Sequence, residues 1–426
     1  MLTAMSTAVP PSSPQGTPGA HGRGDACPGA LRLHTADDGA LARVRVPGGV
    51  LSVCQAHALG TAARELGDGD LHLTSRGNVQ LRGVRDGCGG ELAELLSTSG
   101  LLPSPGHERV RNIVASPLSG LDGNSLCDVR PWLSALDAAL CASDAARELS
   151  GRFLFALDDG RGDVAALGAD VTVRATADGG AHLSTGRVRV ARSDAPGAAL
   201  AAAEVFLEAA RHEGDRVWRV SGLGLPGDEL AARVRRRLTA AGIPHERRPA
   251  PTGTVGGPAP GVLDGALSVH VPLGRLSARQ WQELADAAGT GLRLTPWRGV
   301  VIPAAGTGAA EAGVRLGRLR AAGLVTDDSS PWPRVGACVG RPGCARAHAD
   351  VRADAARMLG AAGEHRSLYW SGCERRCGRP RGDHVDLVAS PGGGYRISDT
   401  TLTPAALPVE VSDASHVPAA LAGMTS

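Results

Sequence analysis

The chain contains no lysine, so all 45 basic residues among its 426 are arginines. This absence excludes a catalytic lysine of the kind that forms a Schiff base. Every cationic contact can instead be planar and two-pronged, because the guanidinium group presents its donors as a rigid fork. A GC-rich genome also drifts from lysine to arginine, and we attribute most of the bias to that drift.

Aromatic residues are also scarce, with three Phe, six Trp and two Tyr. Since 42% of the residues are hydrophobic, we expect cores built from Ala, Val and Leu. No stretch approaches the roughly 18 consecutive apolar residues of a membrane span, so we expect no membrane segment. The net charge of +2 gives no reason to expect binding to nucleic acid or to an anionic membrane.

The length of the chain favours roughly two to four domains. Residues 1–24 are rich in Pro, Ser, Gly and Ala and lack the apolar centre of a signal peptide, so we predict a disordered tail. Nine cysteines, four of them in two close pairs, are typical of a reducing compartment rather than of a disulfide scaffold. We therefore expect a cytoplasmic protein.

The two close cysteine pairs form the most specific motif in the chain. They are Cys338-x5-Cys344 and Cys373-x3-Cys377. Four thiolates supply one sulfur to each iron of a 4Fe-4S cluster, and the glycines beside them let the backbone approach a bulky group. A structural zinc site is the alternative, but such sites usually show C-x2-C knuckles. We predict a cluster at these four cysteines and interpret the other five as structural.

A pattern of strand, turn, helix and strand occurs twice, about 220 residues apart. The first copy starts at Val44 with V-R-V-P-G-G-V-L-S-V and continues to L-H-L-T-S-R-G-N-V-Q-L-R-G. The second starts at Val269 with V-H-V-P-L-G-R-L-S-A and continues to L-R-L-T-P-W-R-G-V-V-I. Ser52 and Ser277 stand where each helix needs an N-cap. The pattern predicts an internal duplication, with two unrelated βαβ units as the alternative.

The stretch from Asp70 to Arg82 alternates between apolar and polar residues, which predicts a strand with one wholly polar face. A solvated sheet face is the ordinary explanation of such a pattern. However, Arg76, Asn78, Gln80 and Arg82 in one row would suit a ligand that carries several carboxylates.

The cysteine spacing and the Thr-x-Arg motif at Thr74 resemble those of the nitrite and sulfite reductase family. In that family the four thiols hold a 4Fe-4S cluster, and the last one also bridges to the iron of siroheme. The resemblance covers about residues 25–400. It implies an α+β fold with a duplicated architecture, in which two ferredoxin-like half-domains are combined with two α/β lobes.

The resemblance and the repeat together predict the domain boundaries. They are a disordered tail at 1–24, ferredoxin-like half-domain 1 at 25–104, lobe 1 at 105–246, a linker at 247–264, ferredoxin-like half-domain 2 at 265–330, and lobe 2 with the cluster at 331–426.

By resemblance, Arg76 occupies the position of the arginine that lines the siroheme and substrate cavity. H-E-R-V-R-N-I resembles the family's Arg-Asn segment, which makes Arg111 a second active-site arginine with Asn112 beside it. G-R-F-L-F resembles the Lys-Phe-Lys strand that binds anionic substrates, with Arg152 as the first cation and Leu154 replacing the second. That replacement argues against sulfite or nitrite as the substrate.

In the second repeat, the L-T-P-W-R motif places Arg298 near the same cavity. The predicted catalytic residues are Arg76 and Arg111; the predicted substrate-binding residues are Arg76, Asn78, Gln80, Arg82, Arg111, Asn112, Arg152 and Arg298; and the predicted cluster ligands are Cys338, Cys344, Cys373 and Cys377.

Within the family, the motifs are most similar to the oxygen-dependent branch that acts on precorrin-3A in cobalamin biosynthesis. This resemblance implies a monooxygenase with precorrin-3A and O2 as substrates, which forms a lactone from the ring A acetate. The implied cofactors are a 4Fe-4S cluster, a mononuclear non-haem iron with unassigned ligands, and NADH as the indirect electron source. Because no dinucleotide-binding fingerprint is present, we expect a separate reductase or ferredoxin to deliver the electrons.

Two other functions stay open at this point. One is a siroheme-dependent sulfite or nitrite reductase. The other is a non-enzymatic cluster-binding or regulatory protein, although an arginine-lined polar face would then have no ligand.

The cysteine motif generates the first prediction. Anaerobically purified protein should contain iron and acid-labile sulfide and should show the broad visible absorption of an iron–sulfur cluster. Metal analysis and absorption spectroscopy measure both properties. Stoichiometric zinc without sulfide would contradict the assignment.

Overall fold

The computed structural model describes residues 25, 27–213, 217–251, 256–362, 366–380, 382–400 and 407–424. The predicted tail at 1–24 lies outside these residues, as do residues 252–255 of the predicted linker. The described strands are β1 (His34–Ala36), β2 (Gly39–Val44), β3 (Val50–Leu51), β4 (Leu71–Leu73), β5 (Val79–Val84), β6 (Ile113–Ala115), β7 (Phe155–Asp158), β8 (Val171–Ala175), β9 (Gly180–Leu183), β10 (Val188–Ala191), β11 (His245–Arg247), β12 (Gly261–Leu263), β13 (Ala266–His270), β14 (Arg275–Leu276), β15 (Leu292–Leu294), β16 (Gly299–Pro303), β17 (Val335–Ala337), β18 (Leu368–Ser371), β19 (Val385–Ala389), β20 (Tyr395–Asp399) and β21 (Val409–Val411).

The α-helices in the same residues are α1 (Val53–Leu66), α2 (Gly89–Thr98), α3 (Arg130–Ala142), α4 (Ala195–Arg211), α5 (Glu229–Ala240), α6 (Ala278–Ala287), α7 (Ala309–Ala321), α8 (Val351–Arg357) and α9 (Val417–Gly423). None of the described helices has the length and apolar character needed to cross a bilayer.

The two repeats start their helices in the same way. Ser52 and Ser277 both form capping boxes, in which the serine hydroxyl accepts from the backbone of Gln55 or Gln280 and the glutamine side chain accepts from the serine backbone. Each box satisfies N–H groups that have no partner inside the helix. The predicted N-caps are therefore confirmed.

The two half-domains exchange edge strands. The first sheet has the order β1-β2-β5-β4-β14, and the second has the order β12-β13-β16-β15-β3. Strand β14 from the second half pairs with β4 of the first, while β3 from the first half pairs with β15 of the second. Each sheet is thus completed by the other half.

A single hydrophobic core lies beneath both exchanged sheets, and it contains buried Ala, Val and Leu residues from both halves. At its centre, the buried Trp281 of α6 donates its indole N–H to the Ala56 carbonyl of α1 at 2.7 Å. Gly60 leaves room for the ring, since a Cβ there would lie 2.9 Å from Trp281 Cδ1. The halves consequently form one packed unit.

The stretch from Asp70 to Arg82 forms a hairpin, which corrects the prediction of one continuous strand. Strand β4 ends at Leu73, a turn follows, and β5 begins at Val79. The register pairs His72 with Gln80, so even-numbered residues in both arms face the same side. The predicted polar face therefore persists although the chain reverses.

Each of the two lobes has its own sheet and core. Lobe 1 has the sheet order β11-β10-β9-β8-β7-β6, and α3, α4 and α5 pack together beside it. Lobe 2 has the order β17-β18-β19-β20-β21, in which β18 and β19 lie on either side of the Cys373 loop in the chain. Strand β12 falls inside the predicted linker, and the domain boundaries themselves stay a prediction.

Trp281 generates the second prediction. Replacing it with Ala should lower the free energy of unfolding by about 3–5 kcal/mol, because a large buried ring is lost from the shared core. The partly buried Trp332 in lobe 2 provides a matched control, and Trp332→Ala should cost clearly less. Chemical denaturation measures both values. Equal losses in the two variants would contradict a shared core centred on Trp281.

Candidate active-site cavity

A cavity of about 1050 Å³ lies where the first half-domain, the second half-domain and lobe 2 meet. Its wall includes residues of β1 and β2, the β4–β5 hairpin, Leu273, Arg298 and both cysteine loops. This volume is at the upper end of ordinary ligand pockets. The cavity can therefore hold a ligand as large as a tetrapyrrole.

The four predicted cluster ligands, Cys338, Cys344, Cys373 and Cys377, all line this cavity as free thiols. No three of their sulfurs lie mutually within 4.8 Å. Four sulfurs around one zinc would lie about 3.8 Å apart, given the Zn–S bond length. The four sulfurs are therefore not gathered around a single zinc ion.

The surroundings of these thiols suit a group that carries positive charge. Burial raises the pKa of Cys338, and the neighbouring thiols raise it further. Burial also raises the pKa of Cys377, with Cys373 and Cys344 adding to the effect. Iron would stabilise the thiolate forms, because metal binding displaces the protons. The backbone N–H of Gly372 already donates to Cys338 Sγ at 3.1 Å.

Arg82 holds the loop that carries Cys344. Its Nε and Nη2 donate to the two oxygens of Asp38, each at 2.7 Å, and Nη2 also donates to the Gly343 carbonyl at 2.9 Å. On the same loop, Ala345 N–H donates to Asp37 at 2.6 Å. Arg82 lines the cavity as predicted, but its guanidinium is committed to this loop.

Seven guanidinium groups in the cavity wall have no carboxylate partner among the described residues. They belong to Arg43, Arg45, Arg76, Arg298, Arg346, Arg352 and Arg375. Burial and neighbouring guanidiniums lower the pKa of Arg76 and of Arg352 to about 10. The cavity therefore has a positive surface that an anionic ligand would neutralise.

Three of the predicted ligand-binding residues lie in this cavity wall and carry side-chain polar atoms that a ligand could contact. The Arg76 side chain has only a long contact, 3.5 Å, with the Gly151 carbonyl. Gln80 lies opposite Arg43 and accepts from its Nε at 3.0 Å. Arg152 is half-exposed, with Nε 3.8 Å from an oxygen of Asp25.

Arg111 and Asn112 do not line the cavity. The Arg111 guanidinium donates to both oxygens of Asp137 at 2.7 Å and to the Leu101 carbonyl at 3.0 Å. Asn112 accepts from the Asn78 amide at 2.9 Å, so these two amides tie the hairpin to lobe 1. The geometry gives Arg111 a structural role in place of the predicted catalytic one.

Sequence reasoning missed Arg43, Arg45, Arg352 and Cys27. The first two alternate with Val44 and Val46, a signal that could have identified them. Arg352 comes from α8 and gave no such signal. Cys27, interpreted from the sequence as structural, lines the cavity, where its sulfur accepts from Arg45 Nη2 at 3.3 Å and from Arg43 Nη1 at 3.5 Å.

The second repeat builds a different surface at the equivalent turn. The Thr295 backbone N–H donates to the Gly299 carbonyl, and the Gly299 N–H donates to the Thr295 hydroxyl. Thr74 and Asn78 make the same two hydrogen bonds in the first half, so Trp297 takes the position of Arg76. The Trp297 ring packs against a small apolar cluster of lobe 1 that includes Leu154. The equivalent turns therefore differ, and only the turn of the first half places an arginine at this position.

The sequence of the two joined halves matches a known family model. Residues 34–96 and 264–312 match the nitrite/sulfite reductase ferredoxin-like half domain. These two segments are therefore ferredoxin-like half-domains of the nitrite and sulfite reductase type. The predicted resemblance to this family is confirmed, and the duplicated half-domains of this family are the two units that exchange strands here.

Individual relatives in the family extend the match across most of the chain. A precorrin-3B synthase from Sinorhizobium sp. is 28% identical over 411 residues, which span 91% of this chain and 85% of that protein. A ferredoxin–nitrite reductase from Synechococcus elongatus is 27% identical over 408 residues, which span 82% of this chain and 76% of the reductase.

A solved structure confirms the predicted fold class. The NirA protein of Mycobacterium tuberculosis superimposes with a TM-score of 0.70, covering 89% of this chain and 79% of NirA. The sequence identity in that comparison is 19%, so the likeness concerns the fold alone.

The described residues at the cavity do not fit the expected mononuclear non-haem iron. Asp68, Asp70 and His72 bring potential ligand atoms within 4.8 Å of one another near the cavity. However, Asp70 is paired with Arg275 at 2.5 Å, and the His72 Nδ1 atom faces Arg352 at 3.4 Å. Burial and these arginines lower the pKa of His72 to about 2, so the surroundings already disfavour a cation. We derive no chemical step through such an iron.

Arg82 generates the third prediction. Arg82→Gln should weaken the retention of the cluster about 10-fold, because residues that orient metal ligands typically contribute that much to metal affinity. Iron and sulfide per chain after gel filtration measure the loss. Arg76→Gln removes a cavity arginine without touching the loop and serves as the control. Equal cluster content in both variants would contradict the role given to Arg82.

Proposed function

We propose that this chain is an oxidoreductase of the precorrin-3B synthase type, which inserts one oxygen atom from O2 into precorrin-3A. The observation that carries the proposal is the group of seven guanidiniums without carboxylate partners beside four cluster thiols in a cavity of tetrapyrrole size. Precorrins bear many carboxylates, each of which can accept two parallel hydrogen bonds from an arginine. The precorrin-3B synthase relative supports this substrate class.

The proposed reaction balances with two electrons and two protons. One atom of O2 forms a bond to the macrocycle carbon between rings A and D. The other atom leaves as water after taking up the electrons and protons. The double bond between this carbon and ring A is consumed: the ring A acetate oxygen bonds to the ring A carbon as a lactone, and the inserted oxygen takes the carboxyl proton and stays as a hydroxyl on the bridging carbon.

The protein's part in this reaction is to bind and orient the substrate. Arg43 lies on β2, Arg45 directly follows this strand, and Arg76 lies in the turn of the β4–β5 hairpin. All three line the cavity. Arg298 and Arg352 face the ligand space from the side of the cysteine loops. Arginines on two sides of the cavity would hold the macrocycle in one orientation. Holding a substrate in the reactive orientation is a large part of what an enzyme contributes to catalysis.

A 4Fe-4S cluster, when bound by the four cysteines, supplies electrons one at a time. In this proposal the electrons derive from NADH and reach the chain through a separate reductase or ferredoxin. The NADH-dependent partner is proposed because the sequence shows no dinucleotide-binding fingerprint.

A siroheme-dependent sulfite or nitrite reductase is the alternative function, and siroheme would then be a resident cofactor. The ferredoxin–nitrite reductase relative and the position of Cys377 at the cavity favour it. The apolar surroundings of Leu154 weigh against it. This side chain is buried in the small cluster of lobe 1 and offers no second cation to a small anion.

Oxygen labelling tests the proposal, and it is the fourth prediction. Reduced holoenzyme incubated with precorrin-3A and oxygen-18 gas should give a product that contains one labelled atom, as measured by mass spectrometry. Arg76→Gln should lower kcat/KM roughly 10- to 100-fold, because a charged hydrogen bond to the substrate is lost.

Arg130→Gln is the matched control for the turnover measurement. Arg130 is exposed, paired with Asp128 and absent from the cavity wall, so this variant should turn over normally. Extractable siroheme together with sulfite or nitrite reduction, and no labelled product, would overturn the proposal in favour of the alternative.

A further inference from the structure

Arg298 adopts a backbone conformation that normally belongs to glycine. Its φ of 58° matches that of Gly77, 65°, at the same position of the equivalent turn in the first half. A left-handed conformation costs a non-glycine residue on the order of 1 kcal/mol or more. A side chain kept at this position in spite of that cost is a candidate for function.

Two glycines from separate segments make room for the Arg298 side chain, and a third lies beside its guanidinium. A Cβ at Gly274 would lie 2.8 Å from Arg298 Cδ, and one at Gly336 would lie 2.9 Å from Nη1. The third, Gly378, follows Cys377 directly, and a Cβ there would lie 3.9 Å from Nη2. The guanidinium is therefore enclosed against the loop that holds the last cluster ligand.

Tyr369 contacts the cluster loop next to this guanidinium. The buried Tyr369 hydroxyl donates to the carbonyl of Cys377 at 2.5 Å. Both this hydroxyl and Arg298 Nη2 lie beside Gly378, at 2.8 and 3.9 Å from the position that a Cβ would take there. Arg298 also lines the cavity and has no carboxylate partner among the described residues. Its positive charge thus lies between the cysteine ligands and the space for the substrate.

We propose that Arg298 couples ligand binding in the cavity to the reduction potential of the cluster. This inference rests on the proposed function, because it assumes a cluster at the four cysteines and a carboxylated ligand. A nearby positive charge favours the reduced, more negative cluster, so Arg298 raises its potential. A ligand carboxylate that pairs with Arg298 neutralises this charge and lowers the potential.

The coupling has a direct consequence for turnover. Binding of the substrate makes the cluster a stronger reductant, so electron release is favoured when the substrate is in place. By linkage, the oxidised holoenzyme must bind the ligand more tightly than the reduced one. A tenfold difference in affinity corresponds to a shift of about 59 mV for a one-electron couple.

Redox titration of the holoenzyme, followed by electron paramagnetic resonance, tests this coupling. The probe is uroporphyrin, a tetrapyrrole with a carboxylate-rich rim. Saturating uroporphyrin should lower the midpoint potential of the parent protein by about 59 mV, which corresponds to tenfold tighter binding to the oxidised than to the reduced holoenzyme. Arg298→Gln should have a lower potential without the ligand and almost no shift with it.

Two further variants keep the result interpretable. Arg298→Gly suits the left-handed turn and should fold with an unchanged Tm while it loses the shift. Arg43→Gln removes a cavity arginine whose partners are Cys27 and Gln80, so it should bind uroporphyrin more weakly but keep the shift at saturation.

The outcomes separate this inference from the proposed function. If uroporphyrin binds the parent without moving the potential, or if both Arg298 variants keep the full shift, the coupling is overturned while the proposed function stands. If the parent binds no uroporphyrin, the proposed function falls and the coupling falls with it.

Discussion

The exchange of edge strands between the half-domains is the constraint on which the rest of the structure depends. Because β14 completes the first sheet and β3 completes the second, neither half can move without breaking main-chain hydrogen bonds of the other. The shared core around Trp281 reinforces this connection. As a result, Arg298 of the second half and Arg76 of the first half face one cavity at fixed positions, beside the cysteine loops of lobe 2.

Charge gives that cavity its chemical character. Burying guanidiniums without carboxylate partners is unfavourable, and the lowered pKa values of Arg76 and Arg352 reflect this. An anionic ligand would relieve the repulsion, so the same groups that destabilise the empty cavity would stabilise the complex. Arg82 and Arg111 show the contrast, since each is paired with an aspartate and supports the scaffold.

Local patterns in the sequence predicted the features that depend on interactions between residues close together in the chain. The capping serines, the four cysteines and the parity of the polar face around Arg76 all follow from spacing along the chain. Long-range partners were not predictable in this way. Nothing near Arg111 in the sequence indicates Asp137, and nothing near Arg352 indicates the cavity, because both contacts depend on how helices pack. The L-T-P-W-R motif predicted that Arg298 lies near the cavity. Its left-handed backbone conformation could be recognised only in the structure.

Calorimetric titration with porphyrins of decreasing carboxylate number tests the central claim most directly, namely that unpaired arginines recognise a carboxylate-rich tetrapyrrole. The account predicts that affinity falls stepwise from uroporphyrin to coproporphyrin to protoporphyrin. It also predicts that added salt lowers the affinity for uroporphyrin more than for the other two porphyrins, because salt screens charged contacts. Equal affinity for all three, or tightest binding of the least carboxylated one, would show that apolar contacts dominate and would contradict the account.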